Sequence, residues 1–369
     1  MAPLLSLAMI VRDEEATIGA VLDDASAFCD ELVVLDTGSV DQTVAICREH
    51  GALVETFEWI DDFAAARNIA FGYCTGEWIL WLDADDRIPS DAQEGFRGLK
   101  EHLRGRINID GVMIPYRRVF SVTDPEKCTL SFDRERILRR AAGLQWQGAV
   151  HEVIALSLGR SIRWPGAYVS HRPPPESWAR KSDRNLRILQ RMVASGDRSP
   201  RTLFYYGNEL RDHRRFKEAL ATYREYVAVT DLPWERYSAH LHMAACAAAV
   251  DRPDEQVEHL LSAVRFDSSR AEAFNQLGLI YYNRKEWLRA IPFFAAASLA
   301  ARPEDGFVSE PDYAELPLDY LSVCLGNVGR DQEALDFTLR ALVASPDRER
   351  LLGNVDYYRR RLADRAPEN

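Results

Sequence analysis

Apolar runs that stop abruptly at acidic residues recur through the first quarter of the chain. Residues 4–11 are almost wholly apolar and end at Arg12-Asp13-Glu14-Glu15. Glu31-Leu32-Val33-Val34-Leu35 ends at Asp36, and Trp78-Ile79-Leu80-Trp81-Leu82 ends at Asp83-Ala84-Asp85-Asp86. Runs this short, bounded by polar residues, predict buried strands. Residues 54–57 predict a further short strand. Residues 16–28, a segment ending at His50, and residues 63–72 carry helical patterning, with Ser39 and Asp41 as candidate N-caps of the second. Strands alternating with helices imply a mostly parallel sheet with helices on both faces. After a helix over 90–103, Val112-Met113-Ile114-Pro115-Tyr116 and Arg136-Ile137-Leu138-Arg139 predict a mixed or antiparallel extension.

Arg172-Pro173-Pro174-Pro175 closes this pattern, because proline continues neither a helix nor a central strand. Beyond it nearly every segment reads as helix, and a repeat emerges. Gly207, Ala219 and Tyr223 have the spacing of Gly278, Ala290 and Phe294, twelve residues and then four. Ala245, Val257 and Leu261 keep it, as do Ser322, Ala334 and Thr338. A small residue on one helix facing alanine and an aromatic on the next is the grammar of tetratricopeptide repeats. Four helix pairs and a terminal helix over 348–362 would bury one continuous core. The expected organisation is an α/β domain over 1–175, a helical linker over 176–198 and a repeat domain over 199–369.

Charge and cysteine usage narrow the function. A net charge of −11 argues against nucleic acid as the main partner. Six cysteines lie scattered without a Cys-x-x-Cys pair, which suits reduced thiols of a cytoplasmic protein and neither a disulfide framework nor a zinc site. No apolar stretch approaches the ~20 residues that cross a membrane. The apolar start runs straight into Arg12-Asp13 without a basic leader, so it is expected to be a strand and not a signal peptide.

Three strands thus deliver acids to one edge, the edge where open α/β sheets bind ligands. Asp36 can accept hydrogen bonds from a base or from hydroxyls, and Gly38 permits a tight turn beside it. Asp83, Asp85 and Asp86 repel one another unless a cation neutralises them, and a hard divalent ion takes one or two carboxylates plus phosphate oxygens. Each acidic turn could instead cap a helix; it is the three together that indicate a site.

The segments Met9-Ile10-Val11-Arg12-Asp13-Glu14-Glu15, Val34-Leu35-Asp36-Thr37-Gly38-Ser39, Phe63-Ala64-Ala65-Ala66-Arg67-Asn68, Leu82-Asp83-Ala84-Asp85-Asp86, Gly148-Ala149-Val150-His151-Glu152 and Val169-Ser170-His171 resemble those of inverting family 2 glycosyltransferases of the GT-A fold. With helical repeats appended, the whole chain is similar to bacterial repeat-containing glycosyltransferases. The resemblance implies a Rossmann-like GT-A domain followed by a tetratricopeptide-like solenoid. It implies that Val11, Arg12, Glu14, Asp36 and Gly38 hold the uridine of a UDP-sugar, with Arg67, Asn68, Asp83, Ala84 and Asp85 around its diphosphate and sugar. It implies Asp85 and His171 as ligands of Mn²⁺ or Mg²⁺, with Asp83 and Asp86 as further candidates, and Glu152 as the base. The more familiar base is Asp, so Glu152 departs by one methylene, and a structural Glu152 paired to arginine is the competing reading. Arg67 is alternatively a helix-surface ion pair. Trp146 and His151 are acceptor-side candidates, although Trp146 could equally belong to the core.

The expected function is metal-dependent transfer of a hexose, glucose or N-acetylglucosamine, from a UDP-sugar to a peptide, protein or glycan acceptor. The repeats would present the acceptor or pair two subunits into a homodimer. Two alternatives stand against it. One is a non-catalytic repeat scaffold with a relic nucleotide-binding domain, although a relic has no physical reason to keep so costly an acid cluster. The other is a nucleotidyltransferase, although the chain has no Gly-rich phosphate loop.

Overall fold

A computed structural model describes residues 2–120, 128–172, 177–303 and 309–365. The proline run 173–175 lies outside them. The chain divides into two compact units, Met1–Arg191 and Met192–Asn369.

The first unit is built on one mixed sheet. Strands β1 (Leu5–Val11), β2 (Glu31–Asp36), β3 (Leu53–Thr56) and β4 (Trp78–Trp81) are interleaved with helices α1 (Ile18–Ser26), α2 (Thr43–Glu49) and α3 (Phe63–Tyr73). Then come β5 (Asp86–Arg87), α4 (Ser90–Leu103), β6 (Gly111–Phe120), β7 (Cys128–Arg139), the small pair β8 (Trp146–Gln147) and β9 (Val153–Ile154), β10 (Ser161–Arg163) and β11 (Val169–His171). The order across the sheet is β3-β2-β1-β4-β7-β6-β11-β5, with β10 on β6. The first four strands are parallel, as the alternation predicts, and β7 joins β4 antiparallel. The expected extension is therefore a long β6–β7 hairpin, followed by short strands that return to the site.

Alternation along the strands sorts the two faces. Leu5, Leu7, Met9 and Val11 of β1 join α1, α2 and α4 in the main core, with Trp78 and Leu80. Ala8, Val33 and Ile79 point to the opposite face with Cys74, and Ala66 and Ala70 of α3 cover Leu35 there. Asp62 caps α3, accepting from the Ala65 N–H at 2.9 Å. The second helix differs from expectation at its start. It begins at Thr43, whose N–H donates to Asp41 Oδ1 at 2.9 Å while Asp41 Oδ2 and Ser39 Oγ accept from the β1 loop.

Within the first unit, Arg187 and Arg191 of helix α5 (Ser177–Ala194) both pair with Asp61. The second unit is helical among the described residues. It comprises α6 (Pro200–Asp212), α7 (Phe216–Val229), α8 (Pro233–Ala249), α9 (Pro253–Phe266), α10 (Ala271–Asn283), α11 (Trp287–Leu299), α12 (Glu310–Tyr313), α13 (Glu315–Asn327), α14 (Asp331–Ala344) and α15 (Glu349–Asp364). Small-residue packing supports the repeat spacing at two pairs. A Cβ on Gly207 would meet the Tyr223 ring at 2.6 Å, and one on Gly278 the Phe294 ring at 2.7 Å. In the second pair the expected register is wrong by one residue. Ala245 is exposed and Leu261 is 49% exposed, whereas Ala244 and Leu260 are fully buried. At the C-terminal end α15 lays Tyr358 against Gly326 and pairs Arg361 and Arg365 with the buried Asp331.

Three histidines of this unit bear on its stability. His240 and His259 face each other with Nδ1 atoms 3.2 Å apart. Burial, then repulsion from His259, lowers His240 from 6.5 to about 4, and burial followed by Arg211 lowers His242 to about 3. Groups depressed on folding contribute stability above their unfolded value, and that stability is lost as the unfolded chain takes up protons the native state refuses. The helical unit is therefore expected to lose thermal stability progressively from about pH 6.5 down to pH 4. Thermal unfolding followed by circular dichroism across that range checks this; a flat melting temperature contradicts it.

Candidate active site

The ends of β1 and β2 are stitched into one rim. Asp36 is 5% exposed and accepts from the Gly38 and Ser39 N–H groups at 3.1 Å. Gly38 has φ +104°, a conformation that side chains strain to adopt. The Asp13 N–H donates to Ser39 Oγ at 3.0 Å, the Glu14 N–H to Thr43 Oγ1 at 2.7 Å and the Glu15 N–H to Asp41 at 3.1 Å. Thr37 Oγ1 donates to the Val11 carbonyl at 3.0 Å. Asp13 (φ +54°) and His151 (φ +53°) are non-glycine residues in the left-handed region, and both lie in loops of the site. Arg12 is half exposed beside this rim.

The second feature is a buried guanidinium. Arg67 on α3 donates through Nε to Glu152 Oε1 at 2.5 Å and through Nη2 to Asp83 Oδ1 at 2.6 Å. Its guanidinium lies 4.7 Å from the Trp81 ring and 5.1 Å from the Trp146 ring, so aromatic faces cover the cation. Partial withdrawal from water opposes the charged form of Asp83, but Arg67 and then Arg136 outweigh it and hold its carboxyl well below the usual carboxylate range. Burial opposes the charge on Arg67 too, and Glu152 and Asp83 more than restore it. The competing reading of Glu152, a carboxylate paired to arginine, is thus the geometry seen; Oε2 lies outside that pair. Arg67 is neither on the helix surface nor open to solvent, its side chain being 8% exposed.

The third feature is the acid cluster itself. Asp86 is fully buried. Oδ2 accepts from the Asp83 N–H at 3.0 Å and is ion-paired to Arg136 Nη1 at 3.0 Å, and Oδ1 accepts from Tyr116 Oη at 3.0 Å with His171 Nδ1 at 3.3 Å. Asp85 Oδ1 lies 3.5 Å from His171 Nδ1, and the Arg172 N–H donates to the Asp85 carbonyl at 3.2 Å. Asp85, Asp86 and His171 each bring one ligand atom within 4.8 Å of the others. The three form the acid–imidazole group from which an ion could take its protein ligands. Carboxylate plus imidazole, completed by phosphate oxygens, fits Mn²⁺ and also Mg²⁺. Asp83 is drawn to Arg67 and lies outside the three-residue group.

Two expected site residues serve the scaffold instead. Trp146 is 3% exposed, its ring packed edge-on to Trp81 with centroids 4.9 Å apart, so it offers no face to a sugar. Asn68 is not available to a donor, since Oδ1 accepts from the Trp146 N–H at 2.8 Å and Nδ2 donates to the Trp146 carbonyl at 3.0 Å. Ala84 is buried in the domain core. Three residues the sequence reading missed belong to the site. Arg136 is fully buried, 3.9 Å over the Trp81 ring, and Tyr116 contacts Asp86. A basic residue inside the apolar run Arg136-Ile137-Leu138 was the available signal. Arg184 of α5 lies 4.5 Å over Phe63, and burial followed by repulsion from Arg12 lowers its pKa. Phe63 in turn donates its N–H to the Ala149 carbonyl of the Glu152 loop at 2.8 Å.

Comparison with known proteins adds identity to this geometry. A TPR repeat-containing protein of Synechococcus elongatus is 33% identical over 182 residues, covering 45% of this chain and 41% of its own. The prophage-derived glycosyltransferase SunS of Bacillus subtilis is 26% identical over 225 residues, covering 59% and 52%. The chain thus spans about half the length of the curated relatives it matches. Among solved structures, glucosyl-3-phosphoglycerate synthase from Mycobacterium tuberculosis superposes with a TM-score of 0.35 at 17% identity, over 52% of this chain and 79% of that one. Residues 6–160, the segment that carries the three acidic strand ends and the Arg67–Glu152 pair, match the family described as Glycosyl transferase family 2. Residues 6–160 thus match the family 2 glycosyltransferase model, and the helices beyond them carry the small-residue packing of tetratricopeptide-like repeats at two pairs.

Proposed function

We propose that the chain is a cytoplasmic, metal-dependent, inverting hexosyltransferase that moves glucose or N-acetylglucosamine from a UDP-sugar to a peptide, protein or glycan acceptor. The observation that carries this reading is the Asp85–His171 pair at the carboxyl end of the sheet, within a domain whose second acidic centre is Glu152 on Arg67. The rim formed by Val11, Glu14, Asp36 and Gly38 would receive the uridine. Asp85 and His171 would hold Mn²⁺ or Mg²⁺. That ion, when bound, offsets the negative charge that develops on the departing diphosphate.

Glu152 would take the proton from the acceptor hydroxyl or thiol as its oxygen or sulfur bonds to the anomeric carbon. The bond from that carbon to the phosphate oxygen breaks on the opposite face, UDP leaves with the electron pair, and the configuration inverts. Free thiols at Cys29, Cys47, Cys74, Cys246 and Cys324 suit a reducing compartment, and no described helix is long and apolar enough to cross a membrane. The repeats would bind the acceptor or pair subunits. Screening UDP-sugars for hydrolysis with and without Mn²⁺ tests the reading. One hexose nucleotide turned over only with metal is expected; no turnover of any supports the scaffold alternative.

A further inference from the structure

Arg67 makes two short charge-assisted hydrogen bonds, through Nε and Nη2, to two different carboxylates. One reaches Asp83 at the end of β4, and the other reaches Glu152 in the loop between β8 and β9. The two carboxylates are 69 residues apart in sequence. Nothing else among the described residues ties them through one group. The guanidinium cannot slide, because Trp81 and Trp146 cover it. Trp146 is itself clamped to Asn68 of the same helix by two hydrogen bonds. The fork geometry is also specific to arginine: a lysine ammonium carries its three donors on one rotatable atom and does not fix two carboxylates along set directions.

We propose that Arg67 is a positioning residue that locks the donor-side Asp83 and the acceptor-side Glu152 into one charge-coupled unit, setting Glu152 in place before an acceptor arrives. This rests on the glycosyl-transfer reading above. It differs from a donor contact, which would place the guanidinium on the diphosphate and leave Glu152 to be oriented by something else. In the coupled unit Nε holds Glu152 Oε1 and Nη2 holds Asp83 Oδ1, so one guanidinium sets the position of both carboxylates. Losing Arg67 frees the Glu152 side chain from its ion pair and leaves Asp83 with Arg136 as its neighbouring cation.

The test uses the full chain, with UDP and Mn²⁺ as the binding probe and Mn²⁺-dependent UDP-sugar hydrolysis as the rate, measured from pH 5.5 to 9. Arg67→Met is expected to lower hydrolysis about 100-fold while UDP affinity changes less than about threefold. The pH profile should change shape, which loss of scaffold alone would not produce. In a Glu152→Gln background the same substitution should cost less than about threefold, because both changes remove the same oriented base. Should Arg67→Met fail to fold, Arg67→Lys carries the test: charge is kept, the bridge is not, and a loss of about tenfold or more with unchanged UDP affinity is expected. Equal losses in the wild-type and Glu152→Gln backgrounds, or a fall in UDP affinity that accounts for the lost rate, overturn the inference and make Arg67 a donor ligand. A wild-type protein that neither binds UDP nor hydrolyses any UDP-sugar removes the proposed function, and this inference with it.

Discussion

Asp85→Ala is expected to abolish Mn²⁺-dependent donor turnover, by about 1,000-fold or more, while the protein still folds. A bound divalent ion contributes several kcal/mol at the transition state, and each ~1.4 kcal/mol is a factor of ten. Asp85 stands beside Asp86 and near His171, so its removal takes a ligand away and also relieves like-charge crowding. It also gives up the ion pair with His171, so a thermal melt accompanies the assay. Asp86→Ala is the contrast. It removes the acceptor of Arg136, Tyr116 and the Asp83 N–H, and leaves Arg136 as a buried charge without its carboxylate. Such a loss costs about 3–5 kcal/mol, so this variant should lose stability first and activity with it. Activity assays on both variants, each with a thermal melt, separate the two roles. A fully active Asp85→Ala protein would move the metal elsewhere.

Glu152→Gln is expected to lower transfer by about 10²–10⁴-fold and to leave UDP binding intact. The amide oxygen can still accept from Arg67 Nε, and Asp83 still pairs with Nη2, so the local geometry is retained while the basic oxygen is lost. UDP calorimetry together with hydrolysis rates reads both halves of this outcome. Normal transfer by the variant would mean that another group, or the acceptor itself, supplies the base.

The strands and their terminal acids were legible because they are local: an apolar run and the residue that ends it are neighbours in sequence. Asp36 ends β2, and Asp83 and Asp85 follow β4 where the run lengths predict them, whereas Asp86 opens the short β5. The partners of those acids were not legible, because they arrive from far along the chain. Arg67 meets Glu152 across 85 residues, and Asn68 meets Trp146 across 78. Sequence alone could not tell a donor-binding arginine from one buried between two tryptophans. Nor could it show that Asn68 would be used up by a backbone. Arg136 was missed for the same reason, since β7 had to return beside β4 before its charge faced Asp86. The register of the second repeat failed for a different cause. Ala244-Ala245-Cys246-Ala247 offers four small residues in a row, so size gives no contrast to mark which one faces the neighbouring helix. At Gly207 and Gly278 a single glycine opposite a large ring removes that ambiguity.

The central claim, that the acid-rimmed end of this sheet is a UDP–metal site, is tested most directly by titrating UDP into the purified chain by calorimetry with Mn²⁺ and again with chelator. The account predicts saturable one-to-one binding that weakens at least about tenfold when the metal is removed and is lost to the same extent in Asp85→Ala. No heat of UDP binding in either condition would contradict it.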